Sequence, residues 1–254
     1  MFGRSVEYKS AEQIAVMRRA GIVVADVLAT VREAVAPGVT TLDLDAVARG
    51  VIDRHGATSN FLGYHGFPAV ICTSVNDEVV HGIPGERVLA AGDLVSVDAG
   101  AIVEGWHGDA AITVAVGEVS PAAAELSRVT EAALWAGVEA AQPGARLGDV
   151  GHAIATSIAA AGDYGIVEGF TGHGIGTEMH QDPDVPNIGR AGSGMRLKPG
   201  LVIAIEPMVS LGSPYTQILE DDWTAVTVDG SRAAHWEHTV AITADGPVVL
   251  TLPA

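Results

Sequence analysis

The chain has 254 residues, 48% hydrophobic and 18% charged, with a mean hydropathy of +0.31, which excludes a disordered chain and suits one large domain or two fused halves. Its 31 acidic and 14 basic residues give a formal charge of -17, which excludes a general basic surface for nucleic acid, because phosphate binding runs on Lys and Arg. Cys72 is the sole cysteine, so an internal disulfide is excluded and a reducing compartment is expected.

The N-terminal stretch Met-Phe-Gly-Arg-Ser-Val-Glu-Tyr-Lys-Ser has no basic segment leading into an apolar core. No apolar run in the chain approaches a membrane span, so a cytoplasmic, unprocessed, soluble protein is expected. Ser10 and Gln13 then form a capping-box pattern. Ile14, Met17, Gly21, Val24, Leu28, Val31 and Val35 follow at gaps of three and four, which predicts a helix stopping at Pro37-Gly38. A second helix is predicted from near Thr41 through Leu44, Val47, Val51 and Ile52 to about Gly56. After a mixed strand-and-turn region, Asp93 to Val116 reads as two strands joined near Glu104-Gly105. Ser120-Pro121 caps a third helix, carrying Leu126, Val129, Ala133 and Ala136 to Pro143-Gly144. A fourth, with Val150, Ile154 and Ile158, ends near Gly162.

The order repeats. A shift of 106 residues lays Val23 on Val129, Glu33 on Glu139, Pro37-Gly38 on Pro143-Gly144, Asp43 on Asp149 and Gly56 on Gly162. A shift of 108 lays Leu94-Val95-Ser96-Val97-Asp98 on Val202-Ile203-Ala204-Ile205-Glu206. Two similar halves, about 10–116 and 120–250 of a single unit spanning 1–254, are expected. Each gives two helices to one side of an antiparallel sheet, an α+β architecture.

Asp98 ends an apolar run, where a lone buried carboxylate is costly. With Glu104-Gly105 as a two-residue turn, Val103 faces Trp106 and Asp109 pairs with Gly100. Asp98 then shares a face with Asp109, and Gly100 is expected to leave the space between them open. Carboxylates held so close repel unless a proton or cation lies between them. The repeat adds Glu206, ending the equivalent strand, and Glu237 on a later strand. With His173 in Thr-Gly-His-Gly-Ile-Gly, one nitrogen joins many oxygens. That set favours Mn, Fe or Co over a structural zinc site, with zinc itself left open. Two ions about 3.5–4 Å apart, bridged by carboxylates and a water, would make a strong nucleophile near neutral pH.

Across almost its whole length the chain resembles the type I methionine aminopeptidases, of the pita-bread metallopeptidase fold. Seven motifs in order carry the resemblance: Gly-Tyr-His-Gly-Phe-Pro (63–68), Asn-Asp-Glu-Val-Val-His-Gly-Ile-Pro (76–84), Gly-Asp-Leu-Val-Ser-Val-Asp (92–98), His-Gly-Asp (107–109), Gly-His-Gly-Ile-Gly (172–176), Ile-Glu-Pro-Met (205–208) and Trp-Glu-His-Thr-Val (236–240). The resemblance implies that Asp98, Asp109, His173, Glu206 and Glu237 ligate two divalent ions (Co, Mn or Fe, with Zn and Ni as alternatives), Asp109 and Glu237 bridging them. It implies that His81 and His180 flank the scissile peptide and that Glu206 also takes a proton from the bridging water. Tyr64, Phe67, Cys72 and Trp223 are implied to wall a pocket for a methionine side chain, whose thioether suits apolar and aromatic walls.

Phe61 and Met179 depart from common family choices (a smaller residue and an aromatic), which leaves the pocket's shape open. His55, His152 and His235 receive no role, and His65, His107 and His238 lie inside motifs without one. The implied activity is removal of the initiator methionine from nascent polypeptides whose second residue is small. The implied setting is a cytoplasmic monomer with transient ribosome contact, without a membrane or nucleic-acid partner. No zinc-binding or proline-rich leader is expected before the first helix. A prolidase or Xaa-Pro aminopeptidase of the same fold is the nearest rival, usually with an added N-terminal domain. A binding protein that has lost catalysis is the second, and such relatives lose metal ligands that are intact here. The third is a soluble α+β protein with no stoichiometric metal.

Overall fold

The computed structural model of the chain describes residues 6–254; Met1–Ser5, the start of the stretch read as lacking a targeting segment, lie outside the described residues. Local chemistry sets the helices. At α1 (Ala11–Ala34) the Ser10 hydroxyl accepts from Gln13 N–H while the Gln13 side chain accepts from Ser10 N–H. At α2 (Thr41–Arg54) Thr40 and Asp43 repeat the exchange. The helix α3 (Pro121–Ala140) starts behind Ser120 with proline in its first turn, where a missing N–H costs nothing. In α4 (Leu147–Ala161), the Asp149 carboxylate accepts from Arg146 N–H. Each helix ends one to three residues before its predicted Pro-Gly or Gly stop. No helix among the described residues is long and apolar enough to cross a membrane.

The first half contributes β1 (Thr58–Ser59), β2 (Ile71–Val75), β3 (Glu78–Val80), β4 (Leu94–Val103) and β5 (Trp106–Ala115). The second half begins with β6 (Gly165–Ile166), β7 (Gly172–Gly174), β8 (Gln181–Val185), β9 (Val202–Ile205) and β10 (Met208–Ser210). It continues with β11 (Thr216–Ile218), β12 (Ala225–Thr227), β13 (Ala233–His235), β14 (Glu237–Thr243) and β15 (Gly246–Val249). A nine-stranded antiparallel sheet runs β1-β4-β5-β14-β9-β7-β8, with β2 on β4 and β15 on β14. Two three-stranded sheets, β13-β10-β6 and β11-β12-β3, flank it. The halves meet at the β5–β14 pair, so the β4–β5 hairpin of one faces the β9–β14 pair of the other.

Strand alternation separates two faces. Val95, Val97, Ala99, Ala110, Ile112, Ile203, Ile205, Val240 and Ile242 join helix residues such as Val24, Leu28, Leu126 and Ile154 in one core. α1 packs on β4 and β5, and α3 on strands of the second half. Close approach there needs glycine: a Cβ on Gly108 would lie 2.9 Å from Gly21 N, and one on Gly21 would lie 2.0 Å from Leu250 O. The opposite face carries Asp98, Asp109 and Glu237.

Candidate active site

Two neighbouring rungs across the large sheet gather the polar side chains. Cys72 pairs with Asp98, Asp98 with Ala111, and Ala111 with Glu237. His238 pairs with Ile205, so Glu206, one residue further, stands beside Glu237. In the next rung Gly100 pairs with Asp109, as the two-residue turn predicts. Thr239 pairs with Ala204, and Gly174 with Ile203, which brings His173 to Ala204. Cys72, Asp98, Asp109, His173, Glu206 and Glu237 thus stand on the face away from the helices, while Ile203, Ile205 and His238 point to the other. Gly100 does not leave open space, however. A Cβ there would lie 2.4 Å from Asn60 Nδ2, because the Asn60 amide fills that position and donates to Gly108 O at 3.2 Å.

The cluster is an electrostatic problem without a counterion. Asp109, His173 and Glu237 are buried, with Asp98 and Glu206 half-buried beside them. Asp98 Oδ1, Asp109 Oδ1 and Glu237 Oε1 are buried without hydrogen-bond partners, a costly condition for carboxylates. Burial pushes Asp98 up to about 7, against the opposing pull of His235 and with a smaller push from the Glu206 carboxylate. Burial pushes Glu206 up to about 8. Asp109 and Glu237 are driven well above the carboxylate range, first by burial and then by neighbouring carboxylates. His173, lowered to about 3 chiefly by burial, is a neutral donor. Its Nε2 lies 3.4 Å from Glu206 Oε1. Ligand atoms of Asp109, His173 and Glu237 lie within 4.8 Å of one another, as do those of Glu206, His235 and Glu237. Unpaired buried oxygens around a neutral imidazole fit a hard or borderline divalent cation.

These carboxylates floor a cavity of about 490 Å³ walled by Phe61, Tyr64, Phe67, Cys72, Met179 and Trp223. Phe67 meets Trp223 edge-on at 5.0 Å and Phe61 at 6.4 Å. Cys72 faces the same cavity, but burial and then the Asp98 carboxylate push its thiol up, so it is a wall and not a nucleophile. His81, at φ 62 just past β3, sits 5.7 Å from the Phe170 ring and 6.2 Å from Trp223, and is lowered to about 4 by burial. His180 stands at the rim, its Nδ1 2.7 Å from the Tyr64 hydroxyl and its ring 4.4 Å from His173. It too is lowered by burial.

A model of metallopeptidase family M24 matches residues 15–244. Methionine aminopeptidase 1 of Mycobacterium tuberculosis (strain CDC 1551 / Oshkosh) is 55% identical, covering 98% of this chain and 96% of that one. Methionine aminopeptidase 1 of Bacillus subtilis (strain 168) is 46% identical, covering 96% of this chain and 98% of that one. The crystal structure of methionine aminopeptidase from Thermotoga maritima superposes with a TM-score of 0.96 at 43% identity, over 98% of this chain and all of that one. The chain belongs to metallopeptidase family M24.

Within M24 it falls among the type I methionine aminopeptidases, with the pita-bread fold. Prolidase from Pyrococcus furiosus shares that fold at 22% identity and a TM-score of 0.78, and this chain spans 66% of it. All eleven residues singled out by the family resemblance line this cavity: Asp98, Asp109, His173, Glu206, Glu237, His81, His180, Tyr64, Phe67, Cys72 and Trp223. His65 lines it as well, and His107 lines a smaller adjoining cavity with a buried, unpartnered Nδ1. His238 faces away, bonded to Thr251 Oγ1 at 2.9 Å and against the Trp135 ring. His55 pairs with Asp26 at the surface. His235 was passed over by sequence reasoning, yet it is buried against Glu206 and Glu237. The available signal was alternation, since His235 stands two residues before Glu237.

Proposed function

We propose that this M24 enzyme is a metal-dependent aminopeptidase that removes the N-terminal methionine of nascent polypeptides whose second residue is small. The observation that carries this is the junction of two features. A floor of four carboxylates and one imidazole, with unpaired buried oxygens, closes an apolar pocket of methionine-accepting character. Asp98, Asp109, His173, Glu206 and Glu237 would hold two divalent ions, with Asp109 and Glu237 contributed from opposite halves. Co, Mn and Fe suit the donors best, with Zn and Ni as alternatives. The ions, when bound, would offset the carboxylate repulsion and lower the pKa of a water to the neutral range.

The chain's own residues do the rest. Phe67, Cys72 and Trp223, with Phe61 and Met179, take the methionine side chain and so set which peptide bond meets the floor. Glu206 accepts the proton of the attacking water, and His81 and His180 flank the scissile peptide as neutral imidazoles. His180 Nδ1 lies 2.7 Å from the Tyr64 hydroxyl; a ring that accepts there carries its proton on Nε2, free to donate to the carbonyl oxygen as negative charge develops. Tyr64 and His65 crowd the rim, where a bulky second residue would have to pass. Because both halves supply candidate ligands, we treat residues 1–254 as one catalytic unit with halves near 10–116 and 120–250. Cytoplasmic action as a monomer in transient contact with the ribosome follows the nascent-chain substrate and the family resemblance.

The test is cleavage of Met-Ala-Ser against Xaa-Pro dipeptides by protein stripped with a chelator and reloaded with Mn or Co. Activity on Met-Ala-Ser that returns with metal is expected. Preferential Xaa-Pro hydrolysis would overturn the substrate, and no activity with either substrate would favour a binding protein.

A further inference from the structure

His235 belongs to none of the seven motifs, yet its ring reaches the carboxylate floor. Nε2 is buried without a hydrogen-bond partner, 3.5 Å from Glu206 Oε2 and 3.9 Å from Glu237 Oε2. A buried ring nitrogen left without a partner is costly. Glu206 is divided between two imidazoles: Oε1 lies 3.4 Å from His173 Nε2, while Oε2 faces His235.

The main chain of His235 is clamped independently. Thr113 Oγ1 donates to His235 O at 2.8 Å and accepts from His235 N–H at 3.0 Å. Thr113 has one hydroxyl hydrogen, so at their 2.9 Å contact Ser96 Oγ is the donor to Thr113 Oγ1. Ser96 Oγ also lies 3.3 Å from His235 N. Ser96 and Thr113 are cross-strand partners on the site face of β4 and β5. They hold His235 where β13 ends, before the chain re-enters the large sheet as β14. The ring therefore projects from a fixed base.

We propose that His235 is a positioning residue whose Nε2–H donates to Glu206 Oε2 and turns Glu206 Oε1 toward the ion it shares with His173. This rests on Glu206 being a metal ligand. Metal-bound carboxylates are generally oriented by outer hydrogen bonds whose loss weakens metal affinity 10–100-fold, and His235 is placed to supply that bond. A role of His235 Nε2 as a ligand itself is the competing outcome, since its distances to Glu206 and Glu237 also suit a shared ion.

The experiment compares wild type, His235→Ala and His235→Gln, because glutamine retains an N–H donor but is a poor ligand for these ions. Co(II) binding is read by calorimetry and by the visible spectrum of the cobalt-loaded protein, beside kcat and KM for Met-Ala-Ser. The alanine variant is expected to bind cobalt roughly 10–100-fold more weakly and to lose kcat with little change in KM. The glutamine variant should recover most of both and keep the wild-type cobalt spectrum. Wild-type cobalt affinity in the alanine variant overturns the proposal. So does a glutamine variant that binds weakly with an altered spectrum, which would make the ring a ligand. If the alanine variant does not fold, the glutamine variant decides alone by the same readings. Glu206→Gln tests the underlying assignment separately: unchanged cobalt binding there removes Glu206 from the ligands, whatever His235 does.

Discussion

Thr239 holds Asp109 by both of its main-chain groups: the Thr239 hydroxyl accepts from Asp109 N–H at 3.0 Å and donates to Asp109 O at 2.7 Å. The contact lies where the two halves meet, one residue beyond the last paired position of β5 and β14. A side chain of the second half thus replaces a rung of the ladder and fixes the backbone beneath a candidate metal-binding carboxylate of the first.

Replacing Thr239 with Val keeps the shape and strands both Asp109 groups. Stability is expected to fall by about 2–6 kcal/mol, from two buried unsatisfied groups at about 1–3 kcal/mol each. Metal affinity should fall with it, since Asp109 loses its anchor. Urea unfolding and cobalt titration read the two effects. Unchanged stability would mean that water or a backbone shift replaces the hydroxyl.

Asp109→Asn keeps the size and removes the charge from a carboxylate proposed to hold the ions. We expect kcat/KM on Met-Ala-Ser to drop by roughly a thousandfold or more, about 4 kcal/mol of transition-state stabilisation. Bound metal per chain, measured by elemental analysis, should fall as well. Substantial turnover in the variant would take Asp109 out of the site.

Without metal, stability should decline as pH rises through the neutral range. Asp98 and Glu206 titrate near 7 and 8 in the fold, above ordinary carboxylates, so the folded state binds protons the unfolded chain has released. That advantage is present at low pH and lost as pH climbs through 7 and 8. His173 and His81, near 3 and 4, act oppositely, but only below about pH 6.5, where unfolded histidine takes up protons. Between pH 6.5 and 9 the melting temperature of chelator-treated protein should therefore fall. Saturating Mn(II) should reverse the trend, because it binds the deprotonated carboxylates. A metal-free melting temperature that climbs across this window would contradict the assignment.

Trp223 closes the pocket against Phe67 and His81 while remaining only half-buried. Trp223→Ala should raise KM for Met-Ala-Ser about tenfold, a loss near 1.4 kcal/mol of side-chain binding, and shift melting little. Steady-state kinetics on Met-Ala-Ser and Met-Leu-Ser, with the latter cleaved much more slowly by wild type, check both pocket and rim. Equal rates on the two peptides would remove the size restriction on the second residue.

Much of the molecule is local in origin, and the chain displays it directly. Ser10 with Gln13, and Ser120 with Pro121, start helices through contacts three or fewer residues apart, so their signals lie within one window. The Glu104-Gly105 turn fixes the register that lays Asp109 opposite Gly100, and alternation then puts Asp98 on the same face. The repeat extends this to Glu206, because Asp98 and Glu206 close equivalent apolar runs, although β4 continues past Asp98 while β9 stops before Glu206. It fails for the return strand: Asp109 and Glu237 are offset by 128 residues where Asp98 and Glu206 are offset by 108. The excursion through β10, β11, β12 and β13 intervenes, and those short strands pair with partners such as β3 and β6, far away in the chain.

By itself, then, the sequence determined the four helices, the central hairpin, the kinship of the halves and a set of anionic residues that cannot be buried together uncompensated, since each follows from neighbouring residues or pattern. Only the tertiary structure decided that Asn60 fills the space over Gly100, that Thr239 clamps Asp109 across the seam, and that His235 joins the carboxylate floor while His238 turns away. Those outcomes depend on strands brought together from remote parts of the chain, and hydrogen bonds reaching 130 residues along it leave no mark in any local window.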